Sequence, residues 1–298
     1  RKGGFSMKIQ VEHMDAFSSL PNKGNPGGVV LNGDDYAAEE MLKIAAAVGF
    51  NETAFVCQSE IADFKFRYFT PGHEMNLCGH GTICAVYSLY RQNQLASKKF
   101  TIETKAGILP VQATVEKEQL VVTMQQTTPK FRKFNGSTAR LAKGLGLTET
   151  AIDSRYPIVY GNTGVWTLVV PIKELASFQQ MVPNNQQFPE ILTEIPTTSI
   201  HPFCFETVHA DNDLHAHHFS SPYSGTVEDP VTGTASGVLG AYYQTYVKKQ
   251  TLPQTIFVEQ GIEMNRDGQV AVHVTGDNQL QIAISGTAVY VDTIVINL

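Results

Sequence analysis

At 298 residues and 42% hydrophobic content, the chain is long enough for one large domain or two ordinary ones, and apolar enough to bury their cores. A formal net charge of −6 disfavours nucleic acid and anionic membrane surfaces, since both want a basic face. No apolar run approaches the roughly 20 residues of a membrane span. Residues 1–6, ahead of Met7, lack the apolar centre of a signal peptide and read as an expression scar outside the fold. Cys57, Cys78, Cys84 and Cys204 form no CxxC pair and no disulfide framework, so they read as reduced thiols of a cytoplasmic protein.

In chain order, strand patterns fall at 8–17, at VVL after Gly24-Asn25-Pro26-Gly27, and at 53–57, 64–69 and 120–124. Further ones follow at 200–208, 270–274 and 280–284. Helical periodicity marks 37–48, 137–145 and 173–181. Three motifs recur in the same order. Gly24-Asn25-Pro26-Gly27 is matched by Gly161-Asn162-Thr163-Gly164, GTICAVYSLY (81–90) by GTASGVLGAY (233–242), and FTIETKAGI (100–108) by IFVEQGI (256–262). Three matches in the same order predict a duplication. The fold class is therefore α+β, with two pseudo-symmetric half-domains, each a mostly antiparallel sheet wrapped around one apolar helix. The linker-like QQTTPK (125–130) sets the boundaries at 7–126 and 127–292.

The two repeated helices are expected to begin at Gly81 and Gly233, with both starts pointing into a cleft between the halves. A helix N-terminus carries unsatisfied N–H groups and roughly half a positive charge, so two of them make a cradle for a carboxylate or enolate-like oxygen. Polar blocks lie just ahead of each: Asn76-Leu77-Cys78-Gly79-His80-Gly81-Thr82 and Glu228-Asp229-Pro230-Val231-Thr232-Gly233-Thr234. Each block also has a structural reading. Asp229 or Thr232 would cap the helix while Pro230 stiffens the turn, and His80 would be a satisfied helix-start histidine. Glu52, in Asn51-Glu52-Thr53 at a helix-to-strand junction, is either a functional carboxylate or one that faces water.

GNPGGVVL (24–31), NETAFV (51–56), RYFTPGHEMNLCGHGT (67–82) and GTVEDPVTGTASGVLGAYY (225–243) resemble the PhzF-like family, which is named for a phenazine-biosynthesis isomerase and shares its fold with the diaminopimelate epimerases. The likeness runs over nearly the whole chain from Met7. It implies two half-domains with the active site between them, a closing strand near 293–298 that returns to the first half, and a homodimer. It also implies a general acid/base at Glu52, an active-site histidine at His80 and an acidic partner at Asp229. The candidate substrate-binding residues are Asn25, Asn76, Cys78, Gly79 and Gly81 in the first half, and Thr232, Gly233 and Thr234 in the second. Burial would hold a carboxyl group near the working pH, where it can shuttle a proton.

Two departures stand out. Epimerase relatives use two facing cysteines; here Cys78 could occupy one position, but the second block, TGTASG, has none. Relatives also place an arginine ahead of the Phe of the FSSP segment, where this chain reads His215-Ala216-His217-His218-Phe219. His215 and His217 alternate on one strand face, yet no carboxylate or cysteine sits beside them at ligand spacing, so no metal is expected. Gly79-His80-Gly81 lacks the third glycine of a dinucleotide fingerprint and no phosphate loop occurs, so no cofactor is expected. The leading reading is a cofactor-independent isomerase moving a proton within a small carboxylic acid. The alternatives are a thiol-assisted amino-acid racemase or epimerase and a non-catalytic ligand-binding protein.

Overall fold

The computed structural model describes residues 7–298, so the scar reading of residues 1–6 lies outside the described residues. Two compact units emerge: one built from the chain up to Met124 together with Gly286–Leu298, the other from Gln125–Ser285.

The first unit runs β1 (Lys8–Ala16), β2 (Asn25–Val30), α1 (Ala38–Val48), β3 (Glu52–Cys57), β4 (Phe64–Phe69), β5 (Glu74–Met75), α2 (Gly79–Arg91), β6 (Lys99–Thr104), β7 (Gly107–Glu116) and β8 (Gln119–Gln125). The second runs β9 (Lys130–Lys133), α3 (Thr138–Gly144), β10 (Val159–Asn162), β11 (Trp166–Pro171), α4 (Phe188–Ile191), β12 (Ser199–Cys204), β13 (Leu214–Ala216), α5 (Gly233–Tyr242), β14 (Gln254–Gln260), β15 (Gly268–Thr275) and β16 (Gln281–Gly286). The last strand, β17 (Ala288–Asn297), pairs along all of β1 in the first unit. It starts five residues before the expected 293–298 segment.

The main sheet of the first unit is ordered β17-β1-β2-β3-β4-β6-β7-β8, antiparallel at every step except β2–β3 and β4–β6. In the second unit the order is β9-β10-β11-β12-β13-β14-β15-β16, and the parallel steps are again the third and fifth, β11–β12 and β13–β14. The two halves thus repeat one topology, each mostly antiparallel. In each, one long helix fills the interior: α2 packs on β1, β2, β3 and β17, and α5 on β10, β11 and β15. All of α5 except Thr234 is buried, which explains why its sequence is apolar and small on every side.

Local chemistry brings the chain to the candidate site. The Glu40 carboxylate accepts the Ala37 amide at 2.8 Å at the start of α1, and Gly49 ends that helix in the left-handed region at φ 77°. This stop delivers the backbone into β3 with Glu52 as its first residue.

Several expected bounds move. The 173–181 segment forms a 3₁₀ turn over Leu175–Gln180, in keeping with Pro183 disfavouring α-conformation just beyond it. The strand expected over 200–208 stops at Cys204, because the Val208 and His209 amides go to the Glu259 carboxylate at 2.6 and 3.0 Å and leave no ladder. The Gly-Asn motifs are not equivalent either: Asn25 opens β2, whereas Gly161-Asn162 close β10. The central helix of the first unit starts at Gly79, two residues before Gly81. No helix among the described residues is long and apolar enough to cross a membrane.

Candidate active site

In the first unit Glu52 is buried at the head of β3, in parallel register with Gly27 of β2. Gly27 must be glycine: a Cβ there would come within 2.9 Å of Cys84 Sγ and 3.8 Å of the His80 ring. The absence of a side chain lets α2 lie directly on β2, which brings His80 close to the strand that pairs with Glu52. Cys78 is the N-cap of α2. Its Sγ accepts the Gly81 amide at 3.3 Å and lies 3.2 Å from His80 Nδ1, while Thr82 Oγ1 donates to the Cys78 carbonyl at 2.7 Å. Tyr68 completes the group. Its hydroxyl is 2.5 Å from Thr82 Oγ1, and burial pushes the phenol pKa upward against the Thr82 hydrogen bond, with Cys78 and Glu52 adding to the rise. Asn25, Thr53 and Thr82 are likewise buried polar groups of this region, whereas Asn76 is exposed on the loop before α2.

In the second unit Thr232 is the N-cap of α5, but its side chain caps nothing. Instead its hydroxyl donates to Asp229 Oδ2 at 2.6 Å. Gln260, the last residue of β14, ties the turn together: its amide nitrogen donates to the Asp229 carbonyl at 2.8 Å and its oxygen accepts the Thr232 amide at 3.1 Å. Asp229 N–H in turn donates to the His218 carbonyl at 3.0 Å. Of the two capping alternatives for this turn, Thr232 holds the N-cap position, and Asp229 is held ahead of the helix by the Thr232 hydroxyl.

The duplication can be followed residue by residue. Thr53 pairs with Phe69 and Phe69 with Glu74 in the first unit; Ile200 pairs with Phe219 and Phe219 with Glu228 in the second. Ser236 donates to the Thr232 carbonyl at 2.8 Å as Thr82 does to that of Cys78. These correspondences align Cys78 with Thr232, Gly79 with Gly233, Glu52 with Ser199, and Tyr68 with His218. The second unit therefore carries neither a carboxylate at the Glu52 position nor a thiol at the Cys78 position. They also align Arg67, bidentate to Glu74 at 2.8 and 2.9 Å, with His217, which bonds Glu228.

His215 and His217 do meet carboxylates, contrary to the expectation from spacing. His215 bonds Glu259 Oε1 at 2.7 Å and Glu263 Oε1 at 2.6 Å, while His217 bonds Glu228 and the Phe178 carbonyl. The partners lie up to 48 residues away, so no local pattern announces them. Burial opposes charge on His215, but the hydrogen bonds to Glu259 and Glu263 prevail and its pKa is pushed up to about 9. No group of three or more His, Cys, Asp or Glu arranged for a metal ion occurs among the described residues. Sequence reasoning also missed Tyr68, Gln260 and His218, which become neighbours of the candidate residues only through strand pairing.

The family model described as phenazine biosynthesis-like protein matches residues 14–293. An uncharacterized isomerase of Bacillus subtilis is 48% identical over 293 residues, covering 98% of this chain and 99% of the relative. A trans-2,3-dihydro-3-hydroxyanthranilate isomerase of Pseudomonas aeruginosa is 27% identical, covering 88% of this chain and 89% of the relative. Among solved structures, a Bacillus anthracis phenazine biosynthesis protein of the PhzF family superposes with a TM-score of 0.96 at 51% identity, covering 98% and 100% of the two chains. A hydroxyproline epimerase from Agrobacterium vitis superposes with a TM-score of 0.65 at 13% identity over 98% and 91%, which places the fold in the epimerase-like class.

Proposed function

This chain belongs to the phenazine biosynthesis-like (PhzF) family and is an isomerase; from that premise we propose that it moves a proton within a small carboxylic-acid metabolite, with Glu52 as the acid/base. The observation that carries the reading is the placement of Glu52: a buried carboxylate at the head of β3, in register with the glycine whose Cβ position lies 3.8 Å from the His80 ring. In the proposed reaction Glu52 takes the proton from one carbon and returns it to another, and no cofactor is needed. Negative charge that develops on the substrate oxygen is met by the first-turn amides of a helix, where the backbone dipole favours an anion. His80 and Asp229 are assigned the orientation of the substrate, and Gly79, Gly233 and Thr234 its backbone contacts.

Supporting this reading over the thiol mechanism is the alignment of Cys78 with Thr232, which leaves only one thiol for a chemistry that needs two. One observation favours the rival, the 3.2 Å contact between Cys78 Sγ and His80 Nδ1, and a Cys78→Ser variant separates the two. The primary test incubates the protein in D2O with a panel of small carboxylic acids headed by trans-2,3-dihydro-3-hydroxyanthranilate. Isomerisation or C–H exchange by the native protein that disappears in Glu52→Gln is the expected result. Full activity in Glu52→Gln overturns the assignment of Glu52, and a panel with no exchanging member favours the ligand-binding alternative.

A further inference from the structure

Two histidines of the second unit take no part in the proton transfer above. His201, on β12, is fully buried, and His218 lies half-buried between β13 and Phe219. Their Nδ1 atoms are 3.0 Å apart, with the rings tilted by 57°. Two imidazole nitrogens at that distance share one proton, so one ring is the Nδ1–H donor and the other accepts with a bare Nδ1. The remaining nitrogen of His201 decides which. His201 Nε2 is buried and has no hydrogen-bond partner among the described residues. A buried N–H without an acceptor is the rarer and costlier defect, so this nitrogen is the bare one and His201 carries its proton on Nδ1. His218 then accepts on Nδ1 and carries its own proton on Nε2.

Neither ring holds a charge at neutral pH. Burial lowers both pKa values; His218 and His217 add to the lowering on His201, while Asp229 alone opposes it on His218. His218 is also joined through its carbonyl to the Asp229 amide, and it occupies the place that Tyr68 holds beside Glu52 and Cys78 in the first unit.

We infer that His201 locks His218 as a neutral Nε2–H donor beside Asp229, so that His218 is a positioning residue for an acceptor oxygen of the substrate and exchanges no proton with it. The inference rests on the reading of Asp229 as a substrate-orienting group, and it extends that half-site by one hydrogen-bond donor. A neutral, fixed donor suits a carbonyl or carboxylate oxygen whose charge grows during the reaction, because it strengthens with that charge and needs no change in its own protonation.

Nitrogen-15 NMR of histidine-labelled protein reads both rings directly. The expected spectrum shows His201 as the Nδ1–H tautomer and His218 as the Nε2–H tautomer, with both rings neutral at about pH 7. An Nδ1–H tautomer on His218, or titration of either ring near the ordinary histidine value, overturns the inference. His201→Leu, which removes the donor, is expected to release His218 to a tautomer mixture. His201→Gln, whose amide can still donate to Nδ1, is expected to restore the Nε2–H form, a rescue that packing alone does not produce. Should either variant fail to fold, the native spectrum alone decides. Glu52→Gln is expected to leave both tautomers as in the native protein, so an error in the assignment of Glu52 and an error in this inference register in different measurements.

Discussion

The Thr232 hydroxyl donates to the Asp229 carboxylate across 2.6 Å, at the first turn of α5, instead of capping the helix it precedes. The carboxylate is thereby held by a side chain that sequence alone assigns to helix capping, and the consequence is measurable. Thr232→Val keeps the shape and removes the donor. Loss of one hydrogen bond to a charged group is expected to cost about 1.5–3 kcal/mol of stability in denaturant titration, and the freed carboxylate to weaken ligand binding in calorimetry. Asp229→Asn is expected to weaken binding and turnover together. A Thr232→Val protein with native affinity would show that the contact orients nothing.

Glu52→Gln is expected to lower turnover by about 10²–10⁴-fold while ligand binding is largely retained, since glutamine keeps the shape of the side chain and cannot shuttle a proton. Steady-state kinetics on the first substrate found by the D2O panel checks this. A near-native rate transfers the role to Cys78 or His80.

Cys78→Ser is expected to leave turnover within a few-fold of native, because serine also accepts the Gly81 amide at the α2 N-cap. Cys78→Ala is expected to cost about 1 kcal/mol of stability in denaturant titration through loss of that cap. Abolished activity in the serine variant, with the fold intact, would instead select the thiol-assisted mechanism.

His215 links stability to pH. Its folded pKa of about 9 lies above the ordinary 6.5, so the stability it contributes is fully present below pH 6.5 and is lost as pH rises through 9. Its partners act in the opposite direction. Glu259 and Glu263 are held below the ordinary 4.5 because hydrogen bonds, from His215 to both and from Val208, His209 and Asn212 to Glu259, together with the nearby histidines on Glu263, outweigh the cost of burial. Their contribution is therefore present above 4.5 and is lost as pH falls through their lowered values. Melting temperatures measured across pH 6.5 to 9 are expected to fall for the native protein and to fall less steeply for His215→Gln. Parallel slopes would remove His215 from the linkage.

A homodimer is the proposed assembly, and light scattering at micromolar concentration is expected to give twice the 32.7 kDa chain mass. A mass equal to that of one chain would exclude it.

The duplication and the identity of the central helices could be read from the sequence because both are local: a strand or a buried helix writes its periodicity into neighbouring residues. The polar blocks that carry Glu52, His80 and Asp229 were visible beside helix and strand ends, whereas the roles proposed for the three residues rest on the family resemblance. Register was not legible. The repeated Gly-Thr pairs suggested that Gly81 matches Gly233, whereas the hydrogen bonds of Thr82 and Ser236 align Gly79 with Gly233, because the N-cap, not the dipeptide, marks where a helix begins. Nor were the carboxylates on His215 and His217 legible, or the His201–His218 contact. Those contacts join residues 11 to 48 positions apart, brought together by strand pairing and loop paths. No spacing in the chain encodes such neighbours; only burial in the folded second unit, which penalises any polar group left without a partner, decides them.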